Sequence, residues 1–259
     1  MSKKKMLVLF LVALVSVLAT VLFFLPASWV GIMIERQTAG RIVLGDVQGS
    51  FWRGSAFIGV ASDKSAAVTP LFPGRFIWKI SPRILFGQLS VDVENAVTLS
   101  APIAIDGNFT HWRVSPARLN LPSERLEGLG APLNTIGPSG KIVLSWGELN
   151  LTQIDAKFAL NGRMQLELSE MASRISSIKP LGSYKVAMQW RGETVDLDLT
   201  TSKGPLMLEG SGKLLQGRFQ FSGKAFAEAG QEEKMANLLN LLGRRRQDGD
   251  KQIIALEYK

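Results

Sequence analysis

The chain shows two hydrophobic patterns, one after the other. Met6 to Leu25 is a predominantly apolar run of twenty residues without a charge. At about 1.5 Å per helical residue, such a run spans the roughly 30 Å hydrocarbon core of a bilayer. Beyond it, apolar and polar residues alternate with a period of two, as in strands that turn one side to a core. The patterns predict a mainly β protein with a single N-terminal transmembrane helix.

The alternation predicts strands in several segments, with turn sequences between them. The strand segments are 75–80, 89–94, 163–168, 184–191, 195–199 and 219–221. The turn signals are 191–194, 210–212 and 216–217. They are short enough to join antiparallel neighbours as hairpins. We therefore predict a twisted, largely antiparallel β-sheet domain.

One amphipathic helix is predicted near the C-terminal end, from Gln231 to Leu242, with Gly243 placed to end it. Its apolar face would cover an open edge of the sheet or dock on a partner. The side chains that share this face are Met235, Leu238, Leu239 and Leu242.

Three arginines, Arg244, Arg245 and Arg246, follow this predicted helix. Their positive charge would stabilise the C-terminal end of the helix dipole. Contact with lipid headgroups or with a partner protein is a second hypothesis for them.

Three further segments give weaker signals. Helical spacing predicts a short helix at 170–178, and a short turn is expected at 115–119. Prolines and glycines mark Leu121 to Gly140 as a connection. Length leaves open whether residues 26–259 form one domain or two halves joined around 121–140.

Charge around the apolar run predicts its orientation. Lys3, Lys4 and Lys5 precede it, and no lysine or arginine follows before Arg36. The positive-inside rule therefore places residues 1–5 in the cytoplasm, residues 6–25 in the membrane, and 26–259 in the periplasm. A cleaved signal peptide is the alternative, but the nearest candidate cleavage site, at Ala27, is poor because Leu25 lies two places upstream where a small residue is needed.

Composition narrows the possible chemistry. The net charge is +8, but three topogenic lysines and three clustered arginines account for most of it, so a basic surface near anionic lipids is favoured over nucleic-acid binding. The chain has no cysteine and one histidine, His111. It has no phosphate-binding loop, dinucleotide glycine pattern or calcium loop. We therefore expect no enzyme, no cofactor and no metal site.

The most informative motif runs from Gly49 to Gly54, with the sequence Gly-Ser-Phe-Trp-Arg-Gly. Two glycines at this spacing indicate a tight bend in which Trp52 can pack closely. Trp52 and Arg53 are our candidate contact residues in this motif. Leu238, Leu242, Arg244, Arg245 and Arg246 are the candidates near the C-terminal end.

The motif, with Leu44-Gly45 before it and Ser55-Ala56 after it, resembles the type II secretion system protein N family (general secretion pathway protein N). Further blocks in the same order are similar to that family: 78–87, 181–182, 203–206 with Gly210, 238–243, 248–249 and 253–258. The resemblance implies a noncatalytic accessory role in the cell inner membrane, in a machine that exports folded proteins from the periplasm. Its partners would be other secretion components, such as the secretin or the inner-membrane platform.

The chain also resembles the wider AsmA-like group, whose β-sheets can curve into a lipid-lined groove. This resemblance implies the alternative function of binding or transferring phospholipid. Large apolar side chains in alternating strands more often fill a core than line a groove, so we predict a packed core. The side chains concerned are Phe72, Phe76, Trp78, Phe86, Trp146, Phe158, Trp190, Phe219 and Phe221.

Overall fold

The computed structural model describes residues 3–60, 69–129, 133–154, 157–215, 218–242, 245–248 and 251–258. The α-helices in these ranges are α1 (Lys3–Phe23), α2 (Ser28–Gln37), α3 (Leu133–Ile136) and α4 (Glu232–Leu242). Two 3-10 helices are η1 (Pro82–Phe86) and η2 (Ser123–Leu129).

Strands make up most of the remaining described residues. In the first part of the chain they are β1 (Ile42–Gly49), β2 (Arg53–Val60), β3 (Thr69–Pro70), β4 (Phe76–Ile80), β5 (Leu89–Glu94), β6 (Ile103–Gly107), β7 (His111–Val114) and β8 (Ala117–Pro122). In the second part they are β9 (Pro138–Trp146), β10 (Leu149–Ile154), β11 (Lys157–Ser173), β12 (Gly182–Gly192), β13 (Thr194–Lys203), β14 (Leu206–Leu215), β15 (Arg218–Ala227), β16 (Arg245–Asp248) and β17 (Lys251–Tyr258).

All these strands belong to one antiparallel sheet. Its pairings run β1–β2–β4–β5–β6–β7–β10–β11–β12–β13–β14–β15–β17–β16. β3 adds to β2, while β8 and β9 pair with each other and join the second half of β11. Within the described residues, the sheet is not closed. The prediction of an antiparallel β domain is confirmed.

The helix α1 has the character expected of a membrane span. It is the one described helix long and apolar enough to cross a bilayer, and its surface is not buried by the sheet. It runs from Lys3 to Phe23, so it begins earlier and ends two residues sooner than the predicted span. The linker to α2 includes Ala27, which is buried against the sheet.

The first part of the sheet is packed around two clusters. In one, Ala27, Ala56 and Trp78 are buried and contact Val30 of α2. In the other, buried Phe72, Phe76 and Leu99 contact side chains from β2, β5, β6 and β8. The strand β4 alternates as predicted, since it buries Phe76 and Trp78 and exposes Ile77 and Lys79.

The long strands β11 to β15 carry one apolar face that is covered at only one end. The predicted helix near the C-terminal end is confirmed as α4, and its buried Met235, Leu238 and Leu239 pack on Leu206, Ala225 and Ile254. The helix lies on a face of the sheet, so the expectation that it covers an edge is wrong. β16 is the outermost strand at that side.

Several local predictions are corrected. Residues 170–173 continue β11 and are not helical, and 117–119 belong to β8 instead of a turn. The glycines at 210 and 212 lie inside β14. Arg245 and Arg246 belong to β16, so they do not end α4. Gly243 and Arg244 lie outside the described residues.

Other local predictions agree with the structure. Arg191 pairs with Thr194 across a hairpin, as predicted. Leu215 pairs with Arg218 across 216–217, two residues that are outside the described ranges. The segment 121–140 connects β8 with β9, which pair in the same sheet, and a division into two halves stays a prediction.

Candidate functional site

The motif from Gly49 to Gly54 forms the junction between α1 and the sheet. It connects β1 with β2, whose ends meet where Gly49 pairs with Gly54. The chain just after α1 runs beside this turn, because Pro26 forms a bridge with Ser50. The motif therefore lies where α1 reaches the β domain.

Hydrogen bonds attach the end of α1 to this turn. The indole Nε1 of Trp52 donates to the Leu22 carbonyl oxygen at 2.8 Å. The backbone N–H of Phe51 donates to the Leu25 carbonyl at 2.8 Å. Carbonyl groups in the last turn of a helix lack hydrogen-bond donors within the helix. The Trp52 indole is such a donor for the Leu22 carbonyl.

A second tryptophan fixes the turn from the other side. The Nε1 of Trp78, on β4, donates to the Phe51 carbonyl at 3.0 Å, and the N–H of Ile80 donates to the Trp52 carbonyl at 2.7 Å. Trp78 is 6% exposed. The turn is therefore held by both its backbone and a buried indole.

Both glycines of the motif are required by the geometry. Gly49 has φ +91, and a Cβ there would lie 2.5 Å from the Arg53 carbonyl oxygen. A Cβ on Gly54 would lie 2.4 Å from the Trp78 ring. No larger residue fits at either position without movement of the backbone or of the indole.

An ion pair beside the junction connects β1 with the segment before β4. The Arg75 guanidinium lies 2.5 Å from the Asp46 carboxylate and also donates to the Asp46 carbonyl. It lies over the Phe57 ring at 4.8 Å. Hydrogen bonds from Arg75 and then from Gln48 hold the pKa of Asp46 below its usual range.

The structure separates the candidate contact residues. Trp52 is half-buried in the junction, whereas the Arg53 side chain is exposed. Leu238 lies on α4 and is buried in the core between this helix and the sheet. Arg246 is exposed and pairs with Glu257 at 3.3 Å. The side chains of Leu242, Arg244 and Arg245 lie outside the described residues.

The groups that could perform chemistry are dispersed. Among the described residues, no group of three histidine or acidic side chains could hold a metal ion. His111 is exposed, and its Nδ1 lies 2.8 Å from the Thr110 hydroxyl. The structure thus brings together hydrogen-bonding and packing groups at the junction, not an acid, a base and a nucleophile.

A second candidate site is the junction half of the face on β11 to β14, which we name the open apolar face. Cross-strand pairing places Met164 beside Met188 and Met188 beside Leu197, while Trp190 pairs with Val195 and Val195 with Leu214. Of these, only Val195 is buried. The members of the open apolar face are Met164, Met188, Trp190, Val195, Leu197 and Leu214.

The prediction that large apolar side chains fill a core holds only in part. Phe72, Phe76 and Trp78 are buried. Trp146, Trp190 and Phe221 are half-buried, and Phe86, Phe158 and Phe219 are exposed. For the last three the prediction is wrong, because they lie in a turn or within the first two residues of a strand.

Two features of the site were missed in the sequence. One is α2, whose Val30 packs on the cluster of Ala27, Ala56 and Trp78. Its Gly31 faces β1, because a Cβ there would lie 3.7 Å from side-chain atoms of Leu44 and Val47. Its apolar residues 29, 30, 33 and 34 have helical spacing, which is the signal that could have found it. The other is the Arg75–Asp46 pair, whose members are 29 residues apart and which no local pattern connects.

Comparison with known proteins identifies the family. No match was found among curated proteins or among solved structures. A model of the type II secretion system protein N family matches residues 40–253, which include the junction, the long strands and α4. The match thus covers most of the β domain, and this chain belongs to the type II secretion system protein N family.

Proposed function

We propose that this protein is a noncatalytic inner-membrane component of type II secretion, with α1 as its anchor and the sheet domain in the periplasm. The observation that carries the proposal is the family match over residues 40–253. A secretion accessory role follows from the family, and the anchored mechanism is our extension of it.

Charge and aromatic placement support the orientation. Lysines at 3, 4 and 5 begin the chain's apolar helix, and positive charge is enriched on the cytoplasmic side of membrane spans. Trp52 and the exposed Trp29 lie just beyond the other end of α1. Tryptophan is enriched at membrane–water interfaces, so the sheet domain would begin at the periplasmic surface.

The junction gives this anchor a mechanical role. Because Trp52 bonds to Leu22 in the last turn of α1 and Phe51 bonds to Leu25 just after the helix, the sheet would be held at a fixed distance from the bilayer. Confinement beside the membrane raises the effective concentration of the domain for other membrane-held components. Weak contacts with those components would then suffice for assembly.

The partners we propose are other secretion components, with the secretin and the inner-membrane platform as the candidates. Arg53 is an exposed cation beside the junction, and Arg246 lies on the outer strand. An R53A variant should weaken capture of partner components, while R41A, which removes an exposed arginine from the loop before β1, should not. If neither R53A nor R244A/R245A/R246A changes capture, neither group of arginines contacts the partner components.

Deletion of the gene tests the secretion role. We expect folded cargo to accumulate in the periplasm and to fall in the medium, and a plasmid copy of the full chain to restore export. Normal cargo distribution together with increased envelope permeability would contradict the proposal and favour a lipid role.

The open apolar face favours a second candidate function, the binding of phospholipid acyl chains. Its members other than Val195 are only half-buried, and Trp190 Nε1 is buried without a hydrogen-bond partner. Apolar surface left partly open is typical of ligand or partner sites. An acyl chain would cover the face without needing hydrogen bonds.

Native mass spectrometry of the detergent-purified chain distinguishes the two functions. Stoichiometric phospholipid that resists detergent exchange, and that is lost in an L197D variant, would support the lipid function. An L215D variant is the control, because Leu215 is exposed at the adjoining hairpin. A lipid-free chain that retains other secretion components would support the assembly function.

A further inference from the structure

The exposed aromatic side chains of the sheet domain are concentrated at one edge. The ends of the strands form two opposite sides of the sheet. We name the side that contains the strand ends Gly49, Ile80, Gly107, Ile154 and Gly192 the junction edge, and the opposite side the far edge. Within the described residues of the sheet, every exposed phenylalanine or tyrosine lies at or near the junction edge. These residues are Phe86, Phe109, Phe158, Phe219 and Tyr258.

The far edge has a different composition. Its exposed large apolar residues within the described ranges are aliphatic and separate: Ile42, Val97 and Ile175. Single exposed aliphatic residues are normal on protein surfaces. Five exposed aromatic residues along one edge are not accounted for in this way.

Three of the apolar side chains near the anchor form a group that we name the tip cluster: Leu85, Phe86 and Phe109. Leu85 is 51% exposed, Phe86 86% and Phe109 65%. Phe109 comes from the turn between β6 and β7, yet a Cβ on Gly87 would lie 3.5 Å from its ring. The two turns therefore meet and present one apolar surface.

Local hydrogen bonds hold both turns in place. The Ser81 hydroxyl accepts from the Arg83 N–H at 3.3 Å, at the start of η1. The Asn108 carboxamide oxygen accepts from the N–H groups of Thr110 and His111, each at 2.9 Å. Because these turns are formed in advance, an apolar partner can bind the tip cluster with little loss of conformational entropy.

The tip cluster lies at the end of the sheet to which α1 is attached. The segment leading into η1 starts at Ile80, whose N–H bonds to the Trp52 carbonyl, and the Trp52 indole bonds to Leu22 of α1. Leu85 and Phe86, in η1 just after Ile80, therefore lie at the same end of the sheet as the attachment of α1. Any bilayer that α1 crosses lies on that side.

Charge near the tip cluster favours a phospholipid surface. Arg83, in the same 3-10 helix, and Arg53, at the start of β2, are exposed. Neither is within salt-bridge distance of a carboxylate in the described part of the chain. A guanidinium group binds phosphate oxygens well, and aromatic side chains are favoured at the membrane interface.

We propose that the tip cluster inserts into the headgroup region of the same bilayer that α1 crosses, with Arg83 on lipid phosphates. The sheet then has a second attachment to the membrane and cannot swing freely about the end of α1. This inference rests on the proposed role of α1 as a membrane anchor. It adds a lipid contact made by the sheet itself.

The absence of cysteine from the chain allows a direct test with the full-length protein. Single-cysteine variants F86C and F109C, labelled with a nitrobenzoxadiazole dye, are reconstituted into vesicles of phosphatidylethanolamine and phosphatidylglycerol. V97C and I175C, at exposed far-edge sites, are the matched controls, and V15C reports whether α1 is in the bilayer. Quenching by nitroxide lipids and by aqueous iodide is then compared.

We expect labels at 86 and 109 to be quenched several-fold more by nitroxide lipid than labels at 97 and 175, at a depth of about 5–10 Å in the interface. Iodide should show the opposite order. Labels at 86 and 109 that respond like those at 97 and 175, while V15C is quenched by lipid, would overturn this inference alone. Loss of lipid quenching at V15C would overturn the anchor proposal.

A protein partner at this edge is the competing occupant. If the label at 86 is exposed to iodide in vesicles of the purified chain but protected in native membranes, a protein covers the tip cluster and the lipid inference is wrong. Protection of equal size in both preparations supports the bilayer as the occupant.

Discussion

The two parts of this sheet use their tryptophan residues differently. Trp78, in the first part, is buried, and its indole donates a hydrogen bond that fixes the junction. Trp190, in the second part, is half-buried, and its Nε1 has no partner. The first part is closely packed where α1 joins the sheet, whereas the second leaves apolar surface only half-buried.

This difference follows from what covers each face. In the first part, α2 and the linker after α1 pack on Ala56 and Trp78. In the second, α4 packs on the far half of the apolar face, whereas the side chains of the junction half, apart from Val195, are only half-buried. A protein that is stable overall can thus keep one half of a face available for binding.

The largest expected effect comes from truncating the two tryptophans. W78A should lower the free energy of unfolding by about 3–5 kcal/mol, because it opens a cavity and leaves the Phe51 carbonyl without its donor. W190A should lower the free energy of unfolding clearly less, since it removes a half-buried ring and an N–H group without a hydrogen-bond partner. Urea unfolding in detergent measures both, and equal losses would show that the two parts are packed alike.

Truncation beneath α4 tests whether the far half of the apolar face is a true core. Met235 is 0% exposed, so M235A should cost about 2–5 kcal/mol and speed hydrogen exchange in α4. The neighbouring K234A, at an exposed position, should change stability by less than about 0.5 kcal/mol. If M235A leaves exchange in α4 unchanged, the helix does not depend on this core.

Two glycines in the first hairpin, Gly45 and Gly54, differ in how closely their surroundings are packed. G54A should destabilise the protein by about 1–3 kcal/mol, because its Cβ would contact the Trp78 ring and the Gln48 carbonyl. G45A is the control, as nothing lies within 4 Å of a Cβ there. Thermal unfolding of the two variants compares them, and equal midpoints would contradict close packing at the junction.

The smallest expected effect is the pH dependence carried by Asp46. Its pKa is lowered in the folded state by hydrogen bonds from Arg75 and Gln48, so its contribution to stability is present above the usual pKa of an aspartate. That contribution is lost as the pH falls through the lowered value. D46N should therefore be less stable than the parent at neutral pH, and the gap should close in acid. A gap that does not change with pH would exclude the ion pair as its cause.

The regular part of the fold could be predicted from the sequence because long strands with one apolar face keep a period of two. The failure at 170–178 has a local cause. The pairing of β11 shifts register between Ser169 and Ala172, and Glu170 has φ +52. A bulge adds one residue to the period at Met171, and Ile175 and Ile178 follow in the turns before β12. The three apolar residues therefore have a spacing that resembles a helix.

The site was harder to predict because it is assembled across strands. The glycine–tryptophan motif was found, but its hydrogen bond to Leu22 joins residues 30 positions apart. Phe86 was predicted to be buried because it is large and apolar, and it is exposed because it ends the turn η1. Which edge a turn occupies depends on the order of the strands, which local patterns do not determine.

If secretion requires this sheet to be held at the membrane, a soluble form of the sheet should not replace the parent chain, and a complementation experiment tests this. In a strain without the gene, the parent chain is compared with one whose residues 1–25 are replaced by a cleaved signal peptide, with limited proteolysis used to verify that the released sheet is folded. We predict that the anchored chain restores cargo export and that the released chain, at equal abundance, leaves cargo in the periplasm. Full restoration by the folded, released chain would show that secretion does not need the sheet to be held at the membrane.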